Sequence, residues 1–110
     1  MLPPEISADQ LLALRKESGD NAPVLLDVRE PWEVATAALP GATLIPMGEI
    51  TSRAHAELDP DRRIVVLCHH GARSLSVTMW LRSQGFDHAQ SLAGGIDHWA
   101  RVIDPKIALY

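Results

Sequence analysis

The sequence predicts an α/β fold with a small, mainly parallel sheet and helices on both faces. Two short runs, at residues 24–26 and 64–67, are apolar at every position. Such runs are typical of strands buried on both faces of a parallel sheet. Each run is followed by a helix signal, and alternating strands and helices favour parallel pairing. Ligands of such sheets bind at the carboxyl ends of the strands, where Asp27 and Cys68 both fall.

Residues typical of helix ends and turns locate the first helices and strands of the chain. Ser7-Ala8-Asp9-Gln10 has the pattern of a capping box and predicts a helix over residues 7–17, which Gly19-Asp20-Asn21 would end. The strand at 24–26 follows, and Pro31 opens a brief helix because proline suits the first helical position. Leu39-Pro40-Gly41 predicts a turn, and residues 42–45 a further strand.

The second half of the chain repeats the alternation. The pattern predicts helices at residues 52–58, 74–84 and 96–101 and strands at 64–67 and 88–91. The helix at 74–84 carries apolar residues around most of its circumference, so we expect it to be largely buried. Gly94-Gly95 predicts the last turn, and the tail from residue 102, which contains Pro105, is expected to be extended.

Length, charge and cysteine content restrict the function. A chain of 110 residues with 46% hydrophobic content suits one domain, over residues 1–110. The formal charge of −4 is scattered, which disfavours nucleic acid as a partner, and no apolar run approaches a membrane span. A single cysteine excludes an intrachain disulfide and suits a reducing compartment. Because the amino terminus lacks a signal-peptide pattern, we expect a cytoplasmic location.

The single cysteine is the strongest candidate for chemistry. Cys68 directly follows the apolar strand and opens a loop that leads into the next helix. The first N–H groups of a helix have no partner within it, so they are free to point at an anion. The helix dipole and the Arg73 guanidinium add positive potential, which favours thiolate over thiol. The sequence therefore predicts Cys68 as a nucleophile within a loop of seven residues: Cys68, His69, His70, Gly71, Ala72, Arg73 and Ser74.

Cys68 has two other interpretations. A buried structural cysteine is the commoner fate of the residue type, but it does not explain the glycine and arginine of the loop. Cys68, His69 and His70 also have the side chains of metal ligands. Consecutive residues of one loop rarely reach a shared tetrahedral centre, and no fourth ligand is evident. We therefore expect no metal, and no motif suggests a nucleotide or flavin cofactor.

Three stretches of the chain together resemble the single-domain rhodanese-like sulfurtransferases. They are residues 25–33 with 39–42, the loop 68–74, and residues 92–99, which contain Gly94-Gly95. The resemblance implies that Cys68 carries sulfane sulfur as a persulfide in a ping-pong mechanism. The donor would be thiosulfate or a similar compound. Because no second cysteine is present, the acceptor would be external: cyanide in an assay, a small thiol, or a partner protein.

The length of the loop and two neighbouring residues add further implications of the resemblance. Sulfurtransferases of this kind have four residues between the cysteine and the last loop position, whereas the related phosphatases and arsenate reductases have five. Residues 69–72 make four, which favours sulfur transfer. Asp27 and Arg29 are implied to be a structural polar pair beside the site rather than direct catalysts.

Several points remain open at the level of sequence. Arg73 would either steer the negative oxygens of the donor or anchor the loop. His69 and His70 would add positive charge when protonated, or hydrogen-bond the donor, so activity should depend on pH near neutrality. A persulfide carrier or redox-sensing module with little thiosulfate turnover is the main alternative to an enzyme. A phosphatase or arsenate reductase is less favoured.

Overall fold

One parallel sheet forms the centre of the molecule. Within residues 1–17, 19 and 22–110, which the computed structural model describes, it has five strands in the spatial order β1-β5-β4-β2-β3. The strands are β1 (Glu5–Ile6), β2 (Val24–Asp27), β3 (Thr43–Leu44), β4 (Ile64–Leu67) and β5 (Ala89–Leu92). Every neighbouring pair is parallel.

Helices cover both faces of this sheet, as the sequence predicts. They are α1 (Ala8–Glu17), α2 (Pro31–Thr36), α3 (Ile50–Glu57), α4 (Ala72–Ser83) and α5 (Gly95–Val102), with a 3₁₀ turn at Met47–Glu49. Buried residues of α3 and α4 share one hydrophobic cluster, and those of α1 and α5 share another. The predicted fold class is therefore confirmed.

Alternation along the central strands divides the core between these clusters. Leu26 and Val66 join the cluster on the α3 and α4 side, whereas Leu25 and Val65 join the one on the α1 and α5 side. Successive side chains of a strand point to opposite faces, so a strand covered on both faces must be apolar throughout. This explains the uninterrupted apolar run of β4, in which all four residues are buried.

Several elements differ from their predicted bounds. The strand β1 was not predicted. It has only two residues, directly after Pro3-Pro4, and so short a segment shows no alternation of polar and apolar residues. In the structure it pairs with β5 at the edge of the sheet. Helix α3 begins two residues before the predicted start, and the neighbouring ends of α5 and β5 shift by one residue. Of the predicted turn Gly19-Asp20-Asn21, the last two residues lie outside the described residues.

Helix α4 begins at Ala72, so Arg73 and Ser74 lie in its first turn rather than before it. The expectation that this helix is largely buried was wrong. Its buried residues, Ser74, Val77, Thr78 and Leu81, follow one side of the helix, and Met79 is 50% exposed. Leu75 and Trp80 are only partly buried, with Trp80 packed against the edge of the cluster that contains α3 and α4.

The tail after α5 turns back instead of extending, which corrects the predicted extended segment. The N–H groups of Ile103 and Asp104 both donate to the carbonyl oxygen of Trp99, at 2.8 and 3.1 Å, and Ile107 donates to Asp104 at 3.2 Å. These turns bring Tyr110 against the loop that follows β4. In the part of the chain that the structure describes, no helix combines the length and the apolar composition needed to cross a membrane.

The start of α5 packs directly on the loop that follows β4. The N–H groups of Ile96 and Asp97 donate to the carbonyl oxygens of Cys68 and His69, at 2.9 and 3.1 Å. Gly95 has φ +62°, and a Cβ at this position would lie 2.5 Å or less from both carbonyl oxygens. Only glycine therefore combines this left-handed backbone with so close an approach.

Replacing Gly95 by alanine should destabilise the protein more than an equivalent change at an open glycine. Gly41 is the matched control, because it has φ +84° and nothing within 4 Å of an added Cβ. We expect Gly41→Ala to lower the free energy of unfolding by about 1 kcal/mol, from the backbone alone. Gly95→Ala should lower it by roughly 3 kcal/mol, because backbone atoms must also move. Urea unfolding measures both, and equal losses would contradict the close packing.

Candidate active site

The sulfur of Cys68 lies in a cradle of backbone N–H groups. Cys68 follows β4 directly and is 1% exposed. Its Sγ accepts hydrogen bonds from the N–H of Gly71 at 3.1 Å and from the N–H of Ser74 at 3.3 Å. Gly71 caps α4 with φ +115°, a conformation that turns the chain sharply into the helix. The loop thus presents N–H dipoles to one sulfur atom, as the sequence predicts for residues 68–74.

A pair of buried hydroxyl groups supports the same sulfur. The Oγ of Ser74 is 3.3 Å from Sγ of Cys68 and donates to the carbonyl oxygen of Gly71 at 3.1 Å. The Oγ of Ser91, on β5, lies 2.8 Å from that of Ser74. Both serines are fully buried. The hydroxyl pair therefore links the nucleophile candidate to the neighbouring strand.

Arg73 is held by a carboxylate that sequence reasoning did not assign to the site. Its Nη1 and Nη2 donate to Oε1 and Oε2 of Glu33, at 2.7 and 2.9 Å. Hydrogen bonding by Arg73 lowers the pKa of Glu33 from 4.5 to about 2, against the opposing effect of burial. The same pairing raises the pKa of Arg73. Of the two roles open for Arg73, these contacts are those of a loop anchor.

Asp27 and Arg29 form the buried polar pair that the resemblance implies. The Nη2 of Arg29 donates to Oδ2 of Asp27 at 2.7 Å, and both residues are at most 1% exposed. Arg29 also donates to the carbonyl oxygens of Ala37, at 2.7 Å, and Glu33, at 3.4 Å, and to the hydroxyl of Tyr110, at 2.9 Å. Its Nε also donates to Asp27. Every nitrogen of the guanidinium group therefore has a hydrogen-bond partner, which a buried charge requires.

His69 and His70 stand on the outer side of the loop, with their rings stacked at 3.9 Å. Burial, and then the neighbouring His70, lowers the pKa of His69 from its ordinary value of 6.5. Near neutral pH, His69 is therefore uncharged and does not supply the positive charge considered above. His70 has a side chain that is 67% exposed, and its Nε2 is 4.0 Å from Oδ2 of Asp97.

The possible metal ligands that lie close together in the structure differ from the set Cys68, His69 and His70 that the sequence suggests. Among the described residues, His69, His70 and Asp97 place ligand atoms within 4.8 Å of one another. The stacked imidazole rings have nearly parallel planes, 28° apart, whereas a shared ion must lie in the plane of each ring. The Asp97 carboxylate also accepts a hydrogen bond from Nε of Arg101 at 3.0 Å. The arrangement is therefore a poor tetrahedral site.

Four residues of this region were missed from the sequence: Glu33, Ser91, Asp97 and Tyr110. Glu33 and Asp97 lie within the stretches that carry the family resemblance, so a search of those stretches for charged partners would have found them. Ser91 belongs to a predicted strand, but nothing in that strand indicates which side chain faces Cys68. Tyr110 is 77 residues from Glu33 along the chain and carries no local signal.

With this geometry established, comparison with known proteins identifies the family. The rhodanese-like domain family matches residues 7–102. The chain belongs to that family. A rhodanese-related protein from Thermoplasma volcanium has a similar structure, with a TM-score of 0.83 and 29% identity over 98% of this chain and all of the other. A human single-domain sulfurtransferase gives a TM-score of 0.78 with 28% identity, over 92% of this chain and 98% of the other.

Relatives of this rhodanese-like chain include sulfurtransferases and a sulfur carrier. A sulfurtransferase of Allochromatium vinosum is 39% identical over 87% of this chain and 90% of its own length. A putative sulfur carrier protein of Bacillus subtilis is 35% identical over 87% of this chain and 50% of its own length. The chain spans only 30% of a rhodanese-like/PpiC domain-containing protein of Arabidopsis thaliana, to which it is 39% identical over 78% of its own length.

The pairing of Glu33 with Arg73 should make stability depend on pH in acid. The folded-state pKa of Glu33 is about 2, below its unfolded value near 4.5, so the stabilisation is complete above pH 4.5 and is lost as the pH falls toward 2. We expect Glu33→Gln to lower the free energy of unfolding at pH 7 by roughly 3 kcal/mol, because it leaves Arg73 unpaired. The difference from the parent should shrink between pH 4.5 and 2.

The control for this prediction is Glu57→Gln, which removes a carboxylate from an exposed pair with Arg53 on α3. Exposed pairs contribute little to stability, so this variant should follow the parent at every pH. Urea unfolding at intervals from pH 7 to pH 2 measures all three proteins. A pH-independent difference between Glu33→Gln and the parent would contradict the assigned pairing.

Proposed function

We propose that this chain is a sulfurtransferase that carries sulfane sulfur as a persulfide on Cys68. One observation carries the proposal: the sulfur accepts two backbone N–H hydrogen bonds from Gly71 and Ser74 at the carboxyl end of a buried strand. Such a cradle stabilises an anionic sulfur, and a persulfide is anionic at neutral pH. Membership of a family that contains sulfurtransferases supports the same chemistry.

The first half-reaction loads the sulfur. The Cys68 thiolate attacks the outer sulfur of thiosulfate or a similar donor, a new S–S bond forms, and the bond to the sulfonate group breaks. Sulfite leaves with the electron pair of the broken bond. An S–S bond is about 2.05 Å long, so the transferred sulfur extends beyond the buried thiol and becomes the atom that the acceptor meets.

The second half-reaction removes that sulfur and restores the thiolate. A thiophilic acceptor attacks the outer sulfur, and the persulfide bond breaks with its electron pair returning to Cys68. Cyanide would give thiocyanate in an assay, and a thiol or a partner protein would take the sulfur in the cell. The chain has one cysteine, so an internal thiol cannot serve as acceptor. A single functional thiol of this kind suits a reducing compartment such as the cytoplasm.

A persulfide carrier with little thiosulfate turnover is the second candidate. The related sulfur carrier protein of Bacillus subtilis supports it, as does the pairing of both terminal nitrogens of Arg73 with Glu33. An arginine held in this way has less freedom to bind the oxygens of thiosulfate. The two candidates share Cys68 and differ in the donor that loads it. Phosphatase chemistry is disfavoured, because the short loop encloses a single atom.

Intact-protein mass after incubation with thiosulfate, and again after cyanide, tests the proposal. We expect a gain of one sulfur on the parent, its loss with cyanide, and repeated thiocyanate production. The Cys68→Ala variant should show none of these. Loading only from a protein or low-molecular-weight persulfide would favour the carrier. Release of phosphate from an aryl phosphate, or sulfur transfer by Cys68→Ala, would contradict the proposal.

The hydroxyl of Ser74 should contribute to this reaction beyond the backbone cradle. In Ser74→Ala, the thiolate and the persulfide lose a hydroxyl donor, and we expect the rate of sulfur loading to fall about tenfold. Ser76→Ala is the matched control, because Ser76 lies on the same helix but is exposed. Single-turnover loading, followed by mass, compares the two. Equal rates in both variants would remove Ser74 from the site.

A further inference from the structure

The hydroxyl of Tyr110 links the side chains of two ion pairs. It accepts a hydrogen bond from Nη1 of Arg29 at 2.9 Å and donates to Oε2 of Glu33 at 2.6 Å. Glu33 in turn holds Arg73 of the loop, and Arg29 holds Asp27 at the end of β2. Burial, and then the hydrogen bond to Glu33, raises the pKa of Tyr110, so the donor proton stays in place at neutral pH.

The ring of Tyr110 has a separate contact with the loop. It stacks on the imidazole of His69 with the ring centroids 3.9 Å apart and the planes within 7°. The other face of that imidazole stacks on His70. The Nε2 of His69 is buried and has no hydrogen-bond partner among the described residues. Packing against the Tyr110 and His70 rings therefore restrains the orientation of His69.

We propose that Tyr110 is a positioning residue for the Cys68 loop, with its hydroxyl fixing the Glu33–Arg73 anchor and its ring fixing His69. The two contacts fall near opposite ends of the loop: His69 directly follows Cys68, and Arg73 directly precedes Ser74. Of the two N–H groups that hold the sulfur, that of Gly71 lies between these contacts and that of Ser74 directly follows Arg73. If either His69 or Arg73 moved, the cradle of N–H groups would widen, because Gly71 has no side chain that could restrain the loop between them.

The charge state of His69 gives this inference a second readout. The groups that face His69 are His70 on the loop, Asp97 on α5, Glu33 on α2 and the backbone and ring of Tyr110. His70 lowers the pKa of His69, whereas Asp97, Glu33 and the Tyr110 backbone raise it, and burial, the largest effect, lowers it. Removing the ring uncovers one face of the imidazole, so the pKa of His69 should rise toward its ordinary value.

Two variants separate the two contacts. Tyr110→Phe keeps the ring and removes the hydroxyl, so the titration of His69 should stay as in the parent while amide hydrogen exchange at Gly71 and Ser74 becomes about tenfold faster. Tyr110→Leu removes both contacts, so exchange should be faster still and His69 should titrate at higher pH. Trp32→Leu is the control: Trp32 is 64% exposed and touches Tyr110 in a T-shaped contact, with the ring centroids 6.0 Å apart. This variant should match the parent in both measurements.

Sulfur loading adds a third readout, which rests on the proposed function. We expect kcat to fall about tenfold in Tyr110→Phe, because the variant loses the hydrogen bonds of the hydroxyl to two charged groups. KM should stay nearly unchanged, because Tyr110 contacts the loop and not the sulfur donor. If the parent does not load sulfur but exchange and titration change as expected, the proposed function fails and the positioning role stands. Two results together would overturn the inference: unchanged amide exchange at Gly71 and Ser74 in Tyr110→Phe, and an unchanged His69 titration in Tyr110→Leu. If Tyr110→Leu does not fold, unchanged amide exchange and unchanged kcat in Tyr110→Phe would overturn it.

Discussion

The contact between α5 and the backbone of Cys68 and His69 is the constraint on which the rest of the site depends. Two N–H groups at the start of α5 bind the two carbonyl oxygens, and Gly95 permits the approach. In a trans peptide, the C=O and N–H groups point in opposite directions. Holding these carbonyls toward α5 therefore turns the N–H groups of His69 and His70 away from that helix.

Around this fixed backbone, the charged residues form one connected set. Asp27 pairs with Arg29, Glu33 pairs with Arg73, and the Tyr110 hydroxyl links the two pairs. Buried charges are costly unless each is paired and hydrogen-bonded, so these residues depend on one another. The set connects the ends of β2 and α2 to the first turn of α4. It therefore joins three segments that the sheet alone would leave to move separately.

The fold could be predicted because its signals are local. The apolar runs of β2 and β4, the capping residues of α1 and the glycines before α5 each act within a few positions of the chain. The site could be predicted only in part. Cys68 and its loop are contiguous in the sequence. Tyr110 and Glu33 are 77 residues apart, and no sequence pattern predicts the turns that bring them together. The burial of α4 was misjudged for a related reason, because composition does not tell which side of a helix the sheet covers.

The hydroxyl pair behind Cys68 has a consequence for the energy of changing the charge on sulfur. As a thiol, Sγ donates to Ser74, and as a thiolate it would accept from the same hydroxyl. The single hydroxyl hydrogen of Ser74 donates to the carbonyl oxygen of Gly71 in the thiol state, so Ser91 is the donor in the contact between the two serines. Reversing the bond between Sγ and Ser74 requires only that this hydrogen rotate from the Gly71 carbonyl oxygen to the sulfur, while Ser91 continues to donate to Ser74. The heavy atoms around the sulfur can thus remain in place through the reaction, which keeps the reorganisation energy small.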